Sequence, residues 1–163
     1  MNKVQLCILP MKRSHIQACS DITSVSDPWK TLHDRIDFEK YIRLKQAYVC
    51  MSGEELAGFI IFTPEPVFAR GGYLRAIGVA PLMRRQGIGK RLLSFAEKET
   101  ARGSQYLYLC VSTFNRTARA FYQERGYARV GKLADLIVPG MSEEIYWKRL
   151  RPISIKNRRA HRD

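Results

Sequence analysis

Residues 84–90 read Arg-Arg-Gln-Gly-Ile-Gly-Lys, set between a β-patterned run and a helical one, and no other stretch limits the fold as tightly. Ahead of it, residues 73–79, with Tyr73, Leu74, Ile77 and Val79, predict a strand. Gly78 inside that strand marks a bulge or a place where something approaches the backbone closely. Behind it, Leu92, Leu93, Phe95, Ala96 and Thr100 recur at helical spacing, and Gly103 stops the run. The first N–H groups of a helix lack partners within it and carry partial positive charge, so strand, tight turn and helix in this order make an anion site. Gly87 and Gly89 have no side chain to hold a phosphate off, and Arg84, Arg85 and Lys90 add positive charge around it. A pyrophosphate fits this chemistry.

Other phosphate motifs fail on individual residues. A P-loop needs glycine where Arg84 stands and Ser or Thr where Arg91 stands, and a dinucleotide fingerprint needs a third glycine where Leu92 stands. The four cysteines, Cys7, Cys19, Cys50 and Cys110, form no C-x-x-C pair, and the three histidines are scattered singly, so no metal is expected. The three cysteines on predicted strands read as buried, inert thiols.

The remaining pattern predicts one mixed α/β layer structure. Strands are expected at residues 4–9, 47–51, 55–63, 73–79, 105–111, 127–138 and 144–150, and Gly53 turns the second into the third. Ser14 is placed to cap a short helix. Asp27-Pro28 opens one or two helices carrying Trp29, Leu32, Ile36, Phe38, Tyr41 and Ile42, and another runs from Asn115 to Glu124 before Gly126. Pro64, Pro66 and Gly71-Gly72 bracket a loop. The order is β-α-α-β-β-β-α-β-α-β-β, a single domain over residues 1–150 with a basic tail, 151–163.

The longest apolar run, residues 56–62, is far short of the roughly 20 residues that span a bilayer, and no signal-peptide pattern opens the chain. A cytoplasmic protein without a membrane partner is expected. The formal charge of +13 is uneven, since residues 148–163 carry seven Lys/Arg against one Asp. Such a surface favours polyanions, among them a phosphate-rich cofactor or nucleic acid.

Ile77-Gly78-Val79, the turn Arg84-Arg85-Gln86-Gly87-Ile88-Gly89, and Asn115 followed seven residues later by Tyr122, in Ala120-Phe121-Tyr122-Gln123-Glu124-Arg125-Gly126-Tyr127, resemble in their order the acetyl-CoA-binding segments of the GCN5-related N-acetyltransferase (GNAT) family. The resemblance covers residues 54–150. It implies a mixed, mostly antiparallel sheet of about seven strands flanked by about four helices, with acetyl-CoA as cosubstrate. It further implies that the backbone of Ile77, Gly78 and Val79 holds the pantetheine arm as an added strand, and that residues 84–89 with Lys90 take the pyrophosphate. Asn115 would bond the cofactor's amides, and Tyr122 would protonate the departing thiolate. A phenol suits that role because it keeps its proton at neutral pH. The bland reading of Tyr122 is a core aromatic paired with Phe121.

Direct transfer to an amine also needs proton removal from the attacking nitrogen. Residues 73–79 and 105–111 contain no Asp or Glu, and Cys110 stands where some relatives carry a glutamate. A carboxylate from elsewhere (Glu54, Glu55, Glu65 or Asp135), a water, or an acceptor of low pKa are the open alternatives. The last favours an α-amine, near pKa ~7.7–8.0, over a lysine side chain near ~10.4. A covalent Cys110 route lacks a visible activating partner.

The acceptor wall is expected from residues 27–44, 64–72 and 138–141, with Trp29, Phe38, Tyr41, Phe68, Tyr73 and Met141 as candidate lining. The expected activity is N-acetylation of a small-molecule amine or a peptide N-terminus, by a monomer or homodimer. An RNA-associated protein, acting on aminoacyl-tRNA or only binding, is the alternative.

Overall fold

The computed structural model describes residues 5–68 and 70–151. Val4, the Phe68 side chain and the tail beyond Arg151, on which parts of the sequence reading fall, lie outside the described set. Seven strands form one sheet: β1 (Leu6–Pro10), β2 (Ala47–Ser52), β3 (Glu55–Phe68), β4 (Gly71–Val79), β5 (Tyr106–Ser112), β6 (Ala128–Ala134) and β7 (Ser142–Arg149). Their spatial order is β1-β2-β3-β4-β5-β7-β6, and every neighbouring pair is antiparallel except β4 with β5. Parallel strands need a crossover, and α4 (Ile88–Thr100) supplies it. Four further helices are described: α1 (Ile16–Ser24), α2 (Trp29–Leu32), α3 (Phe38–Arg43) and α5 (Arg116–Gln123).

Each face of the sheet buries its own cluster. On one side Ile88, Leu92, Leu93 and Ala96 of α4 and Tyr122 of α5 pack against Ile60, Phe62, Leu74, Leu107 and Leu109. On the other, Cys19 and Ile22 of α1, Trp29 of α2 and Phe38 of α3 pack against Val49, Phe59, Ile61 and Ala76. This second cluster draws nothing from β5, β6 or β7. On that face β5 and β7 instead bury Tyr108, Ser112 and Glu143.

The expected order of elements holds, and several boundaries differ for physical reasons. The loop read over residues 64–72 is mostly strand. Pro64 and Pro66 fall where the β3–β4 register breaks between Thr63 and Phe68, beyond the last β2 partner, so no ladder hydrogen bond is asked of them. Gly71 lies inside β4, where a Cβ would stand 2.2 Å from the Tyr108 ring. β6 ends at Ala134 rather than residue 138, because Asp135 adopts φ 54° and its Oδ1 accepts from the Gly140 N–H at 2.6 Å. The segment from Asp27 forms two short helices, the larger of the two expected numbers, and the Asp27–Pro28 peptide is cis. Cys50 is buried as expected, but Cys7 is exposed and Cys110 only partly covered. The helices of the described residues include none long and apolar enough to cross a membrane.

Candidate active site

A bulge in β4 shapes the centre of the sheet. Ile61 pairs with Ala76 but Phe62 with Leu74, so Arg75 is the extra residue. One extra residue bends a strand and reverses which side chains face which side. Leu74 accordingly joins the α4 cluster, whereas Ala76 joins the opposite one, and Ile77 and Val79 return to the α4 side. The parallel ladder to β5 stops at the Leu74–Leu109 pair, although β4 runs on to Val79 and β5 to Ser112. Residues 76–79 stay paired with β3 on their other edge. The β5-facing edge of Ile77, Gly78 and Val79 thus has the geometry to pair with an extended ligand. What approaches Gly78 closely is the core itself, since a Cβ there would lie 2.5 Å from the Phe59 ring and 3.1 Å from Ile22.

At the end of this edge the chain turns into α4. Arg85 (φ 62°) and Gly87 (φ 82°) are both left-handed, and left-handed residues in a turn bring successive N–H groups to one side to form an anion-binding concavity. Gly87 is the N-cap, the first helical bond is Arg91 N–H to its carbonyl, and the first turn of α4 contains no acidic residue. Nothing lies within 4 Å of a Cβ at Gly87, so that glycine answers to backbone angle, whereas a Cβ at Gly89 would touch Phe121 at 3.4 Å. Arg85, Gln86 and Lys90 are exposed at this rim and Ile88 is buried beneath it. Arg84 differs from its neighbours, because its guanidinium is already bonded to Ser26 and to the Val79 carbonyl. An open concavity of N–H groups ringed by Arg85 and Lys90, next to an open strand edge, fits a pyrophosphate carrying an extended amide arm.

Helix α5 supplies the other two expected residues. Asn115 is its N-cap, with Oδ1 accepting from Ala118 N–H at 3.1 Å, so the amide nitrogen is the part of the side chain not used in the cap. Tyr122 is 6% exposed and packs edge-on against Phe121 and Tyr127, with ring centroids 5.2 and 5.6 Å away. It shares one cluster with Ile77, Val79 and Ile88, so core packing and a place beside the split coincide. Burial raises the Tyr122 pKa and keeps the phenol protonated at neutral pH. The helix is fastened to β7 through Glu144, which lies 2.9 Å from Arg119 Nε and 3.0 Å from Arg129 Nε and accepts from the Tyr146 hydroxyl at 2.9 Å.

The face of β5 and β7 away from α4 and α5 carries groups that the sequence pattern does not bring together. Strand side chains alternate, so Glu144 points to α5 while Glu143, one residue earlier, points the other way. Glu143 is 4% exposed and is the cross-strand partner of Ser112. Burial raises its carboxyl pKa first, the Ser112 hydroxyl and the Arg75 guanidinium draw it back down, and Asp34 raises it. Asp34, in the loop between α2 and α3, holds the Arg75 guanidinium at 3.0 Å. Tyr73 shares a hydrogen bond with Cys110, and burial raises both the phenol and the thiol, leaving Cys110 a poor nucleophile at neutral pH. Of the expected acceptor lining, Tyr73 is here, whereas Trp29 and Phe38 are core residues packed on Phe59 at 5.8 and 5.3 Å.

The model of the acetyltransferase (GNAT) family matches residues 15–127, well over half of the chain, and the protein belongs to that family. Among solved structures, the chain resembles the ribosomal-protein-S18-alanine N-acetyltransferase from Escherichia coli (TM-score 0.74, 18% identity, covering 94% of this chain and 99% of that one). It also resembles Arabidopsis thaliana Naa50 in complex with the bisubstrate analogue CoA-Ac-MVNAL (TM-score 0.72, 18% identity, 89% and 99%). A third is yncA from Salmonella typhimurium with its cofactor acetyl-CoA (TM-score 0.72, 13% identity, 94% and 99%). At such identities the likeness is one of fold. No curated protein sequence matches the chain.

Proposed function

We propose that the protein is an acetyl-CoA-dependent N-acetyltransferase that acetylates a primary amine, of a small molecule or a peptide N-terminus, by direct attack on the thioester. The observation that carries this reading is the ending of the β4–β5 ladder at Leu74–Leu109 beside the open N-terminus of α4. A split strand pair offers an amide-lined edge to an extended arm, and the concavity at residues 84–89 offers N–H donors to its phosphates. In this assignment Ile77, Gly78 and Val79 pair with the arm, and Arg84, Arg85, Gln86, Gly87, Ile88, Gly89 and Lys90 form the phosphate rim. Asn115 donates through its amide nitrogen, and Tyr122 gives its phenolic proton to the leaving sulfur. Acetyl-CoA supplies an activated acyl group, and the chain's residues orient it and manage protons. Two of the structural relatives, an S18-alanine N-acetyltransferase and a protein bound to a CoA–peptide analogue, favour a peptide N-terminus as acceptor class.

Release of CoA thiol from acetyl-CoA, followed with a panel of primary amines and free-N-terminal peptides, tests the proposal. Amine-dependent release with an acetylated product in mass spectra is expected. A protein that binds acetyl-CoA but releases no thiol with any amine contradicts it.

A further inference from the structure

We infer that Glu143 is the catalytic base, taking the proton from an acceptor amine that arrives as an ammonium ion. This rests on the acetyltransfer reading above and answers what the sequence left open, since neither β4 nor β5 carries a carboxylate. Three observations converge on the residue. The β7 strand begins at Ser142, so Glu143 is held in the ladder opposite Ser112, beyond the point where β4 leaves β5. Its side chain is on the sheet face opposite α4 and α5, the same face as Ser112 and as Cys110, two residues along β5, and it is buried there at 4% exposure.

The third observation is the charge around it. The groups facing Glu143 are Arg75 and Tyr73 from β4, Cys110 and Ser112 from β5, and Asp34 from the α2–α3 loop, with Leu133 of β6 its apolar cross-strand neighbour. Arg75 is the one cation of this set, and Asp34 already holds it at 3.0 Å. Because Asp34 shares that guanidinium, Arg75 and the Ser112 hydroxyl only partly balance the Glu143 carboxylate, which a positively charged ligand would complete. Burial makes that carboxylate a stronger base than one in water, as proton abstraction from an ammonium requires. The other carboxylates considered from the sequence do not compete: Glu54, Glu55 and Glu65 are exposed around β3, and the Asp135 carboxyl is bonded to Gly140 N–H.

Written with its protons, the step begins as Glu143 takes one proton from R–NH3+, directly or through one water. The freed nitrogen lone pair forms the C–N bond to the thioester carbonyl, and the C–S bond breaks. Tyr122 protonates the thiolate and recovers a proton from the nitrogen, leaving a neutral amide, and Glu143 releases its proton to solvent. The substrate class widens accordingly. Because the base is in the protein, amines more basic than an α-amino group are admitted.

The experiment uses the full chain, acetyl-CoA and two small nucleophiles: propylamine, an ammonium at pH 7, and hydroxylamine, neutral at that pH. Glu143→Gln is expected to lower kcat/KM for propylamine at pH 7 by about 100-fold or more, the usual range for losing a general base. The deficit should shrink as pH approaches ~10, where an alkylamine arrives neutral without help. Turnover of hydroxylamine and affinity for acetyl-CoA should change by less than about threefold, because neither needs the base. Equal losses with both nucleophiles, or no loss with propylamine, overturn the assignment of Glu143 while leaving acetyl transfer in place. Wild-type protein that binds acetyl-CoA but is inert toward both nucleophiles overturns acetyl transfer and the base together.

Discussion

Arg84 donates from Nη2 to Ser26 Oγ at 2.7 Å and from Nε to the Val79 carbonyl at 3.3 Å, so one guanidinium ties the turn before α4 to the end of β4 and to the segment between α1 and α2. The arginine that opens the glycine turn therefore braces the site rather than standing free as a charge. Arg85 and Lys90 are exposed cations at the rim of the turn. The two kinds of arginine should be separable by salt. Arg84→Ala is expected to weaken acetyl-CoA binding about tenfold, the size of one charge-assisted hydrogen bond, with an almost unchanged dependence on ionic strength. Arg85→Ala should weaken it less and flatten the salt dependence. Calorimetric titrations at two salt concentrations check both.

Tyr122→Phe removes one hydroxyl from a packed ring. Turnover is expected to fall about 100-fold, with acetyl-CoA affinity and melting temperature almost unchanged. Burial has raised the Tyr122 pKa above its ordinary value of 10.0, so the acid stays protonated through neutral pH, and any alkaline fall in kcat belonging to it lies above that value. A kcat profile measured to high pH in both proteins gives the answer.

The buried Glu143 carboxylate should cost the folded state stability. Its folded pKa is raised above 4.5, so the folded state binds more protons than the unfolded one between 4.5 and the folded value, and stability falls as pH rises through that window. Above the window the full penalty is present. Glu143→Gln is thus expected to raise the melting temperature at pH 7, and the gain should vanish below pH ~4, where both states carry the neutral acid. Thermal unfolding at the two pH values measures this.

Glycines of the site divide by cause. A Cβ at Gly58 would lie 2.5 Å from the Gly78 carbonyl oxygen, which is backbone and cannot swing aside. Gly58→Ala should cost about 1–3 kcal/mol of stability by overpacking. Gly87 has open space around it but a φ of 82°. Gly87→Ala should cost about 1–2 kcal/mol through the left-handed backbone, and it should weaken acetyl-CoA binding in addition by disturbing the turn. Denaturant midpoints and calorimetry on the two variants separate the effects.

Much of the fold was legible because its signals are local. The strand, glycine turn and amphipathic α4 are written in residues 73–103, and Asn115 followed by Tyr122 marks α5 by capping and spacing. The site's acceptor side was not, because it depends on pairing between distant strands. Glu143 was missed since the pattern places the β7 start at Glu144, and one residue of strand decides which of two adjacent carboxylates faces α5 and which faces the split. The bulge at Arg75 reverses face assignments along β4 without any glycine or proline to announce it, and its partner Asp34 is 41 residues away. Trp29 and Phe38, read as candidate lining, turned out to be core because Phe59 on β3 meets both. A Ser112–Glu143 pairing could have been suspected only by aligning β5 with β7 in register.

The central claim is that residues 76–79 and 84–90 together form a specific site for acetyl-CoA, and the most direct measurement is calorimetric titration of acetyl-CoA at near-physiological salt, with ATP as a polyanion of comparable charge. A +13 chain attracts multivalent anions without any built site, so the comparison carries the meaning. One-to-one binding of acetyl-CoA in the micromolar range, with ATP at least about tenfold weaker because it has no arm to pair along β4, is the predicted result. Equal affinity for the two ligands, with no saturable stoichiometry for acetyl-CoA, would contradict the account.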